Sequence, residues 1–168
     1  MADIGARCKI FLMVLVIVLL CSLVSCVSLP PKLGYNEMRQ QMPQLDPQNG
    51  RIYIFTGYYP KGRRMPGIKL DDQPISGLEN GGFIFADRPA GEHELMASIV
   101  FTKQVINLNL KPSQEKFVEI NFIAGYPASI QAVVLNQESG MPNVSHRHYA
   151  GDWAPNENPS APPMAQSK

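Results

Sequence analysis

Between Arg51 and Leu135 the apolar residues recur at the spacing of strands, not of helices. Arg51-Ile52-Tyr53-Ile54-Phe55-Thr56 is apolar on both faces, which predicts a strand in the middle of a sheet. Gly67-Ile68-Lys69-Leu70 reads as a short strand closed by the turn Asp71-Asp72-Gln73-Pro74, with Ile75 to Leu78 returning as its partner. Gly81-Gly82 leads into Phe83-Ile84-Phe85-Ala86-Asp87, and Arg88-Pro89-Ala90-Gly91 makes the next turn. His93 to Phe101 then predicts a long strand with Leu95, Ala97, Ile99 and Phe101 on one face. Gln104 to Leu110 alternates, with Ile106, Leu108 and Leu110 inward and Asn107 and Asn109 outward. Lys111 to Glu115 has the chemistry of a hairpin loop, and Phe117 to Ile123 places Val118, Ile120 and Phe122 on the core face. After the break at Gly125-Tyr126-Pro127, Ser129 to Leu135 is the last strand. Strands with turn signals about every 8–12 residues predict an all-β fold, a single small β-sandwich of seven to eight antiparallel strands.

The flanks differ in character. Residues 26–49 read as a tether, stiffened by Pro30-Pro31 and interrupted by Pro43 and Pro47, with a short helix around Tyr35 to Met42. Asn49-Gly50 is a turn signal that opens the domain, residues 50–136. Residues 137–154 form an extension without a clear period, from which Tyr149 and Trp153 are candidates to dock back. Four prolines among residues 155–168, mixed with Ser, Asn, Gln and Ala, predict a disordered tail.

The first 26 residues change the picture most. An apolar run from Ile10 to Leu20 follows Arg7 and Lys9 and ends in Leu23-Val24-Ser25-Cys26. A charged start, an apolar middle and a small-residue junction make a secretory signal peptide, residues 1–25. With cysteine next, the junction resembles the lipobox of bacterial lipoproteins. That resemblance implies diacylglycerol thioether-linked to the Cys26 sulfur, an acyl chain such as palmitate on the freed amine, and attachment to membrane lipid. Val27 stands where lipoprotein sorting rules place Asp for inner-membrane retention. In a Gram-negative cell this favours the outer membrane, with the domain in the periplasm or outside. The competing reading is an uncleaved anchor, since the 18 residues from Ile10 to Val27 fall within the roughly 17–25 that span a bilayer. Ser22 and Ser25 polarise its end and favour cleavage.

Composition narrows the function classes. Cys8 and Cys21 leave with the signal segment, so the mature chain has no pair for a disulfide, and hydrophobic burial must hold it together. Cleavage also removes Arg7, Lys9 and Asp3, leaving 13 basic and 13 acidic residues. This balance disfavours nucleic acid, which needs clustered cations, and leaves acylation as the general anchor.

From Lys69 to Leu95 the chain resembles an uncharacterised family of predicted bacterial lipoproteins. The shared features are a strand, a polar turn at Asp71-Asp72-Gln73-Pro74, the Gly81-Gly82-Phe83 strand, and Pro89-Ala90-Gly91-Glu92-His93. The last resembles the Pro-Gly-x-His turn of the PEGA domain. The resemblance implies a small β-sandwich of the envelope with no assigned reaction. Asp72 departs from the pattern, which has Gly there. On the residues themselves, Pro89 fixes the backbone, Gly91 permits a positive φ, and the His93 imidazole is expected to pin the turn.

Candidate chemistry is sparse. His146 and His148 sit two apart, so on an extended segment both rings point one way towards a Zn²⁺ or Cu²⁺, with Asp152 as an oxygen ligand. A zinc site needs about three or four ligands, and His93 is the one other histidine. Tyr58 and Tyr59 beside Lys61, Arg63 and Arg64 form an aromatic and cationic loop suited to an anionic glycan, a lipid headgroup or an acidic partner. Neither a nucleophile elbow, a phosphate loop nor a dinucleotide fingerprint occurs. The first expectation is a lipid-anchored, non-catalytic module that binds or scaffolds an envelope component, with no cofactor beyond the lipid on Cys26. The alternatives are a metal-dependent or hydrolytic envelope enzyme using His93, His146, His148 and Asp152, and a subunit whose sheet edge pairs with a partner strand.

Overall fold

The structure, a computed structural model, describes residues 32–151. Helix α1 (Tyr35–Gln41) is followed by eight strands: β1 (Asn49–Thr56), β2 (Gly67–Leu70), β3 (Gln73–Ile75), β4 (Gly82–Pro89), β5 (Gly91–Ile99), β6 (Thr102–Leu110), β7 (Glu115–Ile123) and β8 (Ser129–Leu135). Helix α2 (Gln137–Ser145) and a two-residue strand β9 (His148–Tyr149) complete it. Two open sheets result, ordered β8-β7-β1-β4-β9 and β3-β2-β5-β6.

The expectation of an all-β body holds; that of uniformly antiparallel strands does not. β1 runs parallel to β7, and β4 parallel to β9. The reason is that β6 and β7 lie in different sheets, so Lys111–Gln114 carries the chain between sheets and is not a hairpin. In that arch Ser113 takes φ +57° and its amide donates to the Asn49 carbonyl at 2.7 Å.

β1 sits third of five in its sheet and is buried on both faces. Ile52 and Ile54 point into one apolar cluster shared with Ile68, Leu70, Leu95, Leu108 and Val118, which joins the two sheets. Tyr53 and Phe55 point the other way, into a second cluster with Tyr35, Met38, Phe83, Phe117 and Val144. A both-sided apolar strand needs cover on its outer face, and α1 and α2 supply it. Tyr35 and Met38, three apart on α1, are 2% and 0% exposed. The segment read as a tether is therefore part of the packed body from Leu33 onward, as is much of the extension after 136.

Helix α2 was not legible in the sequence, because it contains Gly140 and Pro142, both poor in helix interiors. Its start is set by Asn136, whose side chain accepts from the Ser139 amide at 2.8 Å. Its path is set by close approach: a Cβ on Gly140 would lie 2.3 Å from the Phe117 ring. Tyr149, beyond the helix, docks edge-on against Phe83 at 5.5 Å. Trp153 and the proline-rich tail lie outside the described residues.

The long open edge of β8 is met by β6 of the other sheet. Gln104 accepts from the Ala132 amide at 2.5 Å and donates to its carbonyl at 3.3 Å. The edge strands β3 and β9 are short: β3 has three residues including Pro74, and β9 has two, pairing with Gly82 and Phe83 alone of β4.

Candidate functional site

The turn at Asp71-Asp72 explains the placement of His93. Both aspartates have positive φ, +53° and +60°, the conformation of a two-residue hairpin turn of type I′. Asp72 thus adopts the geometry for which Gly is the usual choice. The Asp71 amide donates to the Glu94 carbonyl at 2.9 Å, and its carboxylate accepts from the Glu94 amide at 3.1 Å. His93 stands next to it, with Nδ1 2.8 Å from the Asp71 carboxylate and Nε2 2.7 Å from the Pro89 carbonyl. Arg88 adds an ion pair to Asp71 at 3.4 Å. Burial alone would raise the Asp71 carboxyl. The bonds from His93 and the Glu94 amide, with the nearby charges of His93 and Arg88, instead hold it below the usual carboxylate range. The ring, 11% exposed, ties the β2–β3 turn to the β4–β5 turn at Pro89, where Gly91 takes φ +146°.

The other two histidines do not act as a pair. His146 caps the C-terminal end of α2 with φ −91° and ψ 6°, so residues 146 to 148 are not one extended run. The same-side geometry expected of them is absent for that reason. His148 lies on β9, and its Nε2 is 2.7 Å from the Glu79 carboxylate, which Lys32 also contacts. Those two hydrogen bonds, together with the charges of Lys32 and His148, hold the Glu79 carboxyl below its ordinary value against the effect of burial.

His148 pairs with Gly82 at the start of β4, whereas His93 binds Pro89 at its end. The extension does fold back, but onto the wrong end of β4 for His93, His146 and His148 to converge. Among the described residues no group of three His, Cys, Asp or Glu side chains is placed to hold a metal. Asp152 and Cys26 lie outside the described residues.

The cationic loop after β1 divides into inward and outward parts. Tyr59 is buried: its hydroxyl donates to the Arg64 carbonyl at 2.8 Å and its ring meets Phe122 edge-on at 5.4 Å. It holds the loop's shape and presents no surface, which removes it from the expected binding set. Tyr58 is 70% exposed, and Lys61, Arg63 and Arg64 are exposed beside it. The Arg63 guanidinium lies 5.8 Å from the Phe122 ring centre.

Two neighbours of this loop were missed. β5 stops at Ile99, so Val100 and Phe101 form the tip of the β5–β6 hairpin, 78% and 87% exposed; Phe101 is not on the core face of a longer strand. Tyr126, in the β7–β8 loop, is fully exposed. Hydrogen bonds put these loops at one end of the body. The Phe122 amide donates to the Tyr58 carbonyl at 3.0 Å, and the Thr102 hydroxyl to the Ala128 carbonyl at 3.2 Å.

An open depression lies at the opposite end, lined by Arg39, Glu115, Lys116 and Gln137 among others, with mixed charge and no convergent set. Arg51 and Asp87 near that end make a partly buried bidentate pair, at 2.6 and 2.8 Å, with Arg51 also reaching the Pro43 carbonyl and covering Phe85. Its partners are all parts of the fold, so it braces α1's exit against β1 and β4. No family model, curated protein or solved structure matches the chain.

Proposed function

We propose that this chain is a lipid-anchored, non-catalytic module of the bacterial envelope, a small β-sandwich that binds or scaffolds an envelope component. In this reading residues 1–25 are removed and Cys26 carries diacylglycerol and an acyl chain, two or more chains being what stable anchoring takes. The observation that carries it is Leu23-Val24-Ser25-Cys26 at the end of a signal-like apolar run, only six residues before Lys32. The engagement of His93 and His148 in ties between turns and strands supports a structural use of these residues over a chemical one. The covered β8 edge and the short β3 and β9 weigh against the strand-pairing alternative at those edges. Labelling with palmitate tests the anchor: wild type is expected to incorporate label and Cys26→Ser to lose it. Intact mass showing a bare sulfur at position 26, or an unprocessed N-terminus, would overturn the proposal.

A further inference from the structure

We infer that the end of the sandwich bearing Tyr58, Phe101 and Tyr126 docks against the lipid surface itself, making a second, non-covalent membrane contact; this rests on the anchored reading above. Three loops make up that end: the one after β1, the β5–β6 tip, and the β7–β8 loop. Together they expose Tyr58, Val100, Phe101, Ile123 and Tyr126, 44% to 105% accessible. Residues 57–66, 99–103 and 123–128 contain Lys61, Arg63, Arg64 and Lys103 and no carboxylate. The formal neutrality of the mature chain therefore conceals a local excess of positive charge. Exposed rings beside cations that face no carboxylate among the described residues are the pattern of a surface seated at headgroup level, the rings reaching the acyl boundary and the cations meeting anionic headgroups.

The path of the chain decides between a lipid surface and a protein partner. Lys32 contacts Glu79. The Glu79 carbonyl accepts from Thr56 at the end of β1, at 3.2 Å, and neighbouring Asn80 donates to the Tyr59 carbonyl at 2.9 Å. The N-terminal segment therefore joins the body at the same end as the three loops. Six residue steps separate Cys26 from Lys32, a reach of at most about 22 Å when fully extended. With Cys26 acylated, so short a leash holds this end close to the bilayer.

The experiment uses intact protein purified from membranes and reconstituted into vesicles of phosphatidylethanolamine and phosphatidylglycerol. Single cysteines at Phe101→Cys, Tyr126→Cys and, at the opposite end, Lys111→Cys carry a bimane label, and the lipid carries an acyl-chain nitroxide quencher. Fluorescence is expected to be lost at positions 101 and 126 and kept at 111. Equal loss at 111, or none at 101 and 126 in vesicle-bound protein, would overturn the inference; the latter would leave this end to a protein partner. Wild type without an added cysteine reports on the anchor separately. If it takes up label while 101 and 126 are still selectively quenched, the acylation reading falls and the docking surface stands.

Discussion

Asp71 and His93 show how one short motif holds two turns together. The Asp71 carboxylate is one-third exposed, so solvent screens its contribution, and Asp71→Asn is expected to cost about 1 kcal/mol at pH 6 in urea denaturation. Because folding lowers the pKa of this group, the stabilisation is fully present above the ordinary value of 3.8. It is lost as pH falls through the lowered value, so the gap between wild type and Asp71→Asn should close in that acid range. A gap that stays constant down to the acid limit would remove Asp71 from this role. Arg51 is more deeply committed, at 7% exposure with a bidentate partner. Arg51→Ala strands the Asp87 charge and is expected to destabilise by about 3 kcal/mol, measured by the same denaturation. The Pro89-x-Gly91-x-His93 spacing made the turn and its histidine readable in the sequence. The partner Asp71 was not readable as such, because it lies 22 residues away and meets His93 only through sheet pairing.

At the scale of elements, the outer face of the five-stranded sheet depends on helices that no strand pattern describes. Met38→Ala empties a fully buried position under α1 and is expected to cost about 2–5 kcal/mol. Gly140→Val forces a branched side chain into Phe117 and should lower the denaturation midpoint further than the same change at Gly125, where an added Cβ would meet only an ordinary contact at 3.5 Å. Equal effects at 140 and 125 would mean that α2 does not approach β7 so closely. The strands were legible because alternation at Gln104–Leu110 and two-faced apolarity at Ile52–Phe55 are local patterns. α1 was visible as a polar stretch of helical length, yet its burial follows only from Tyr53 and Phe55 needing cover. α2 runs against its own propensities, and packing on Phe117 overrides them.

For the whole molecule, the consequence is a domain that starts earlier than its first strand. Removing residues 32–42 would expose Tyr53, Phe55 and Phe83 together, and the shortened chain is expected to aggregate instead of folding. A soluble, cooperatively unfolding product would show that α1 is dispensable. The candidate surface was half legible. The run Tyr58 to Arg64 announced itself by composition, whereas Phe101 and Tyr126 join it only once three separate loops are brought to one end.

Both extremities of the folded body depart side by side. Gly34 bridges to His148, and the Tyr149 amide donates to the Leu33 carbonyl at 2.7 Å. Neighbouring termini allow circular permutation, so a version joined from Gly151 back to Lys32 and opened at the Lys111–Gln114 arch has a geometric basis. The same adjacency governs where reporters belong. An epitope appended after Gly151 would begin beside the segment that leads to Cys26, whereas one inserted in the arch would stand at the far pole, clear of it.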